Sequence, residues 1–234
     1  MIKERNRTRE FALEGIVPWG RRLEEYRAFF ALDDVAPGAS VLDAGGGPAS
    51  FAAEACALGA NVVAADPIYE LPGEAIRQGF EATRAAMMES LRIARYRFRW
   101  SRYGSPEALE RIRREALELF LADYEARRGT RYVPASLPHL PFGNDVFDLA
   151  LSSHLLFLYG DDLDCDFHVA AVRELARVAR EVRIFPLVNL DGRPSSHLPA
   201  VMAELEAAGL FADLVPVPFE FQIGATRMLR VRRA

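Results

Sequence analysis

Two acids flank a glycine turn in this chain. The run Val41-Leu42-Asp43 leads through Ala44 into Gly45-Gly46-Gly47-Pro48, and Asn61-Val62-Val63-Ala64-Ala65 ends at Asp66. Consecutive glycines let a backbone turn tightly and approach a ligand with no side chain in the way. A carboxylate about twenty residues beyond the first glycine, ending the next apolar run, is spaced to reach a pair of ribose hydroxyls. The chemistry so far is recognition of a nucleoside. His154 is the second reactive candidate, following the apolar run Phe147 to Ser153. Open α/β sheets bind ligands at that carboxyl edge, and a neutral imidazole there can take a proton from a hydroxyl or an amine. Otherwise it is simply part of a pocket wall.

Three residues argue against a dinucleotide. Asp43 would set a carboxylate near a pyrophosphate, Pro48 removes an N–H from the helix start, and Ser50 stands where a third glycine is needed. A ligand with an ammonium and a sulfonium, such as S-adenosylmethionine, suits Asp43 better.

The pattern Asp43-x-Gly45-x-Gly47 with Asp66 resembles the first two motifs of the class I S-adenosylmethionine-dependent methyltransferases. Leu140-Pro141-Phe142 followed by Phe147-Asp148 looks like that superfamily's block leading into its fourth strand. The resemblance implies that Asp43 lies near the methionine ammonium of the cofactor. It implies close backbone contacts from Gly45, Gly46 and Gly47, and ribose contacts from Asp66 beside Pro67. Ser136 replaces an acid often found near the adenine, so the backbone around Leu137 is left to read the base. Ser152 and Ser153 are expected in the pocket wall, with His154 as the candidate general base. The segment Pro18-Trp19-Gly20-Arg21-Arg22 is expected to fold over the cofactor, Trp19 and Tyr26 covering it and Arg21 or Arg22 pairing with its carboxylate; an ordinary amphipathic helix is the competing reading.

The elements that must position these residues alternate. Strands are expected at about 40–44, 61–66, 132–133, 147–152, 181–188, 213–221 and 226–232, with helices between them. That pattern is α/β: a seven-stranded, mostly parallel sheet covered on both faces, closed by an antiparallel C-terminal hairpin that the resemblance also implies. The expected organisation is one domain over 1–234, with an N-terminal helical segment 1–36 and a helical insertion at about 72–130. The insertion reads as a hairpin capping the domain. Its first helix is expected over roughly 74–103 and its second from Ser105-Pro106 to the Arg127-Arg128-Gly129 stop. In the first of these, Tyr96, Trp100 and Tyr103 would share a face beside a stripe of Arg92, Arg95, Arg99 and Arg102. Such a surface can grip a nucleobase, but core packing and pairing with the glutamates of the second helix explain it as well.

Composition bounds the alternatives. The chain has 234 residues, half of them apolar, and a net charge of −4, which argues against nucleic acid or an acidic membrane as partner. Cys56 and Cys165 read as reduced thiols of a cytoplasmic protein. The start lacks the apolar core of a signal peptide, and no apolar run approaches a membrane span. Cys165 and His168 stand one helical turn apart without a matching ligand pair, so no metal is expected. The expectation is a methyltransferase that uses S-adenosylmethionine on a small-molecule acceptor, with no residue pattern that identifies the acceptor or the oligomeric state. The rivals are a non-catalytic module that binds the same cofactor and a dinucleotide-dependent oxidoreductase.

Overall fold

A computed structural model describes residues 18–34, 38–160 and 162–233. The parts of the expected N-terminal segment at 1–17 and 35–36 lie outside the described residues. Seven strands form one sheet: β1 (Ser40–Ala44), β2 (Asn61–Ala65), β3 (Tyr132–Val133), β4 (Phe147–Ser153), β5 (Ala179–Phe185), β6 (Leu210–Pro216) and β7 (Arg227–Arg233). Their order is β3-β2-β1-β4-β5-β7-β6. The first five run parallel, and β7 is antiparallel to both β5 and β6. This is the expected mostly parallel sheet with its antiparallel C-terminal hairpin. β1 lies between β2 and β4, so the connections leave it in opposite directions, and ligands bind at such a switch point.

Alternation along the strands splits the interior in two. Val41, Val62, Leu149 and Leu151 face one apolar cluster, which includes helices α1 (Leu23–Phe30), α2 (Phe51–Ala57), α3 (Gly73–Ile93) and α4 (Pro106–Arg127). Leu42, Ala44, Ala150 and Ile184 face the other, against α5 (Cys165–Val178) and α6 (Leu198–Ala207). The helix starts are set locally. Asp164 accepts a hydrogen bond from the Phe167 N–H to open α5, and Ser105 accepts one from Ala108 ahead of Pro106 to open α4.

The insertion departs from expectation in two ways. First, α3 stops at Ile93 rather than near 103. The chain beyond it pairs instead with the loop that follows β6: Arg99 N–H donates to the Phe221 carbonyl at 2.6 Å and Ile223 N–H to the Arg97 carbonyl at 2.9 Å. Phe98, Trp100 and Tyr103 pack their rings on Phe221 at 4.8, 5.1 and 4.8 Å between centroids. Aromatic burial and backbone pairing here override helix propensity. Tyr96, Trp100 and Tyr103 therefore share no helical face. The arginine stripe also dissolves, with Arg92 on Glu107, Arg99 on Glu220 and Arg102 on Glu24. The same pairing ends β6 at Pro216, short of 221, while β5 starts earlier than expected, at Ala179, and ends at Phe185.

Second, the hairpin is more than a cap. Phe120 and Tyr124 of α4 are fully buried with Tyr69 and Tyr132, and the Tyr124 hydroxyl donates to the carbonyls of Tyr69 and Leu71, each at 2.8 Å. Phe120→Ala is expected to cost about 3–5 kcal/mol of stability, the range for emptying a buried aromatic site. Urea unfolding would measure it, and a loss below about 1 kcal/mol would show that the hairpin rests loosely on the sheet.

Candidate active site

The turn after β1 is shaped by the two acids beneath and beside it. Gly45 and Gly47 adopt φ of 73° and 54°, the left-handed region. The Asp66 carboxylate accepts the Gly47 N–H at 2.9 Å and the Ile68 N–H at 2.9 Å. Burial pushes its pKa up, and the two amides oppose that. Asp43 is more deeply enclosed, at 1% exposure. Both its oxygens lie 3.0 Å from the Tyr26 hydroxyl, which donates to it. A Cβ on Gly46 would fall 2.4 Å from Asp43 Oδ2, so only glycine fits there. Burial pushes the Asp43 carboxyl up to about 7 although the Tyr26 hydrogen bond favours ionisation.

A cavity of about 510 Å³ opens over the carboxyl ends of β1, β2, β4 and β5. Of the residues expected around the ligand, it is walled by Gly45, Gly46, Gly47, Asp66, Pro67, Ser136, Leu137, Trp19, Arg21, Tyr26 and His154. Asp43 and Ser152 do not line it. Asp43 lies under the turn, covered by Gly46 and Tyr26, and supports the wall without forming it. Ser152 is fully buried and takes the strand face of Ala150, away from the cavity; Ser153, one residue on, lines it.

The N-terminal segment closes one side. A Cβ on Gly20 would meet the Pro48 carbonyl oxygen at 2.0 Å, so the segment lies directly on the glycine turn. Ser50 N–H donates to the Arg21 carbonyl at 3.1 Å. Arg22 turns away to Glu54 at 3.0 Å and Glu115 at 3.4 Å. Arg21 faces the cavity, where its guanidinium donates to the Trp19 carbonyl and has no carboxylate within ion-pair distance among the described residues. Burial, aided by Arg113, lowers its pKa to about 10. The Trp19 ring lies 6.1 Å from Phe80, and its buried Nε1 has no partner among the described residues.

Several residues of the site were not signalled by the sequence. Arg113 of α4 forks onto Glu25 of α1 with two 2.7 Å bonds, both side chains being almost wholly buried. The Tyr103 hydroxyl donates to the same carboxylate. Burial alone would raise the Glu25 pKa, but Arg113 brings it down to about 2. The Tyr69 hydroxyl donates to the Gly47 carbonyl at 2.7 Å. Glu25 accepts the Arg22 N–H at 2.9 Å, but an arginine at the cap is no capping-box signature, and nothing near Arg113 marks that residue either.

His154 sits at φ 56°, with its N–H donating to the Phe185 carbonyl at 2.7 Å. Its Nδ1 is 2.8 Å from Ser153 Oγ, and its ring lies 4.9 Å from Phe29. Burial, with the charges of Arg21 and Arg113, holds its pKa well below 6.5, so the ring is neutral at neutral pH. His168, considered as a metal ligand, has both nitrogens engaged: Nε2 accepts from Phe157 N–H at 3.1 Å and Nδ1 is 2.7 Å from the Asp164 carbonyl. Among the described residues no helix is long and apolar enough to cross a membrane.

The chain is 31% identical over 222 residues to an uncharacterized protein, MJ0045, of Methanocaldococcus jannaschii, covering 94% of this chain and 98% of that one. The chain belongs to the family of this archaeal protein. No protein-family model matches it. Among solved structures it is similar to magnesium protoporphyrin IX methyltransferase from Synechocystis PCC 6803 with bound SAM, at 15% identity and TM-score 0.46, covering 91% of this chain and 78% of that one. It is also similar to a SAM-dependent methyltransferase from Aquifex aeolicus, at 15% identity and TM-score 0.41, covering 89% and 94%.

Asp43 gives the family member a measurable signature. A buried carboxyl with a raised pKa binds a proton in the folded state between about pH 4 and 7 that the unfolded chain has released, so its contribution to stability falls as pH rises through that window. Asp43→Asn keeps an oxygen for the Tyr26 hydroxyl but carries no charge. It is expected to stabilise the ligand-free protein by on the order of 1–4 kcal/mol at about pH 8 and to be nearly neutral at about pH 4.5. Urea midpoints at the two pH values test this, and an equal effect at both would mean that Asp43 ionises freely.

Proposed function

We propose that the protein transfers a methyl group from S-adenosylmethionine to a small-molecule acceptor. The observation that carries this reading is the state of the amides around the glycine turn. Gly45 N–H is bound to the Ala65 carbonyl, Gly47 N–H to Asp66 and Ser50 N–H to the Arg21 carbonyl, while Pro48 has none. A pyrophosphate would need those donors. The turn therefore offers a phosphate few donors, Gly46 and Ala49 N–H being those of the turn without a bond among the described residues, and better suits a ligand without one.

The residues present fit that cofactor. Asp66 would offer the ribose hydroxyls a carboxylate held by two amides, and Ser136 and Leu137, which line the same cavity, would be available to the base. Arg21 is the donor available to the methionine carboxylate, and a guanidinium recognises a carboxylate strongly in a buried site. When bound, the cofactor supplies a methyl group made electrophilic by the sulfonium. The protein's part is to align the acceptor, exclude water and hold a proton. The N-terminal segment and the insertion close the site from above, and the neutral His154 can receive the acceptor proton at Nε2 while Nδ1 is anchored at Ser153.

Calorimetry decides the cofactor. S-adenosylmethionine and its demethylated product are expected to bind and NAD is not. Asp66→Ala should weaken the product complex by about 1.5–3 kcal/mol, the range for hydrogen bonds to a charged group. Binding of NAD in place of the product would overturn the assignment.

His154→Gln is expected to slow methylation of any accepted substrate by roughly 10²–10⁴-fold with product affinity little changed. In the parent protein the rise of rate with pH should lie below about pH 6.5, because the imidazole is already neutral there. Near-parental turnover by His154→Gln would leave it as wall.

A further inference from the structure

The cavity has two chemically different halves. Gly45 to Gly47, Asp66 and Leu137, after β1, β2 and β3, form the half assigned above to the cofactor. The other half lies beyond β4 and β5, under the insertion. Its walls include Met87 and Leu91 of α3, Leu109 of α4 and the rings of Phe29, Phe185 and Phe219. Those three rings form one packed set. Phe29 stacks on Phe185 at 5.0 Å and 11°, and Phe219 stands edge-on to both, at 4.6 and 5.8 Å. His154 leans on the same Phe29 ring.

The polar groups on this side are nearly all committed to the protein. Arg113 and Tyr103 are bound to Glu25. The side-chain N–H groups of Gln222 go to the carbonyls of Asn189 and Leu190, at 2.9 and 3.1 Å. His154 Nε2 has no hydrogen bond among the described residues, and that ring lines the cavity. Among the described lining residues Asp66 is the one acid and there is no lysine. A cationic acceptor would find no carboxylate here. A phosphorylated one would compete for the single guanidinium, Arg21, that carries no carboxylate. An RNA strand would need an open basic groove, whereas Phe29, Tyr103 and Phe219 are buried. What the walls offer is apolar area, with the half-buried rings of Phe98 and Phe221 in it, and one polar anchor.

We infer that the acceptor is a neutral, planar aromatic small molecule bearing a hydroxyl group, lying against Leu91 and the half-buried rings of Phe98 and Phe221 with its oxygen towards His154. This rests on the methyltransferase reading. In the transfer the acceptor oxygen forms a bond to the methyl carbon as the carbon–sulfur bond breaks. The sulfur keeps the electron pair, the hydroxyl proton goes to His154 Nε2, and the products are the methyl ether and S-adenosylhomocysteine.

The test uses the full chain saturated with S-adenosylhomocysteine and titrated with 2-naphthol, naphthalene-2-sulfonate and a single-stranded RNA oligonucleotide. The naphthol is expected to bind at least about tenfold more tightly than either charged probe. Leu91→Trp, which fills the acceptor half, should weaken naphthol binding by about tenfold or more and leave S-adenosylhomocysteine affinity unchanged. Leu109→Trp repeats the test should Leu91→Trp not fold, with S-adenosylhomocysteine binding as the check on folding. Failure of the parent protein to bind S-adenosylhomocysteine at all would remove the methyltransferase reading itself. Binding of it without preferred binding of the naphthol, or naphthol binding untouched by the filled variant, overturns the aromatic acceptor and leaves the cofactor assignment standing.

Discussion

The ion pair between Glu25 and Arg113 is the interaction on which the site depends. Glu25 lies in the first turn of α1, where it also accepts the Arg22 N–H at 2.9 Å and so fixes the start of that helix. Arg113 lies in the middle of α4, in the insertion. Tyr103, from the chain between α3 and α4, donates to the same carboxylate. One buried anion thus ties together three segments that also share one apolar cluster. Losing one partner of such a pair leaves an uncompensated charge in the interior, at a cost of several kcal/mol. The position of Arg21 and Trp19, four and six residues before Glu25 in the chain, follows from this anchor together with the seating of Gly20 on Pro48.

The electrostatic layout follows from the same burial. Two carboxylates, Asp43 and Asp66, lie at the ends of β1 and β2, and two guanidinium groups, Arg21 and Arg113, line the same cavity as Asp66. Asp66 raises the pKa of Asp43 further, and Arg113 lowers that of Arg21, so each pole is strained by its own like charge. Of these two arginines, Arg113 has a carboxylate within ion-pair distance and Arg21 has none among the described residues. His154, held neutral by burial and by both arginines, is suited to accept a proton and not to carry a charge at rest.

The insertion serves both stability and recognition. Its outer faces are laced by exposed arginine–glutamate pairs, such as Arg77 with Glu118 and Arg114 with Glu81, which contribute little each. Its inner faces carry Phe80, Phe120 and Tyr124 into the core and Met87, Leu91 and Leu109 to the cavity. The aromatic chain after α3 is held by the loop after β6, so the roof of the cavity is joined to the far edge of the sheet.

The sequence by itself determined whatever depends on neighbours along the chain. Strands β1 and β3 fall where apolar alternation and flanking turns put them. Helix α4 runs from Ser105-Pro106 to Arg127 because a cap, a first-turn proline and a glycine stop are local signals. The glycine turn and Asp66 were legible for the same reason: spacing after a strand fixes where a residue emerges. The tertiary structure decided the rest. Whether α3 continued past Ile93 depended on Phe221, more than a hundred residues away. That Asp43 lies beneath the turn depended on Tyr26 covering it. Arg21 rather than Arg22 faces the cavity because Glu54 and Glu115 claim Arg22. Ser153 rather than Ser152 faces it because the pleat of β4 is fixed by the cores on either side. Arg113 finds Glu25 across 88 residues. Such pairings are energetic outcomes of burial among distant segments, and no local pattern of residues encodes which distant partner wins.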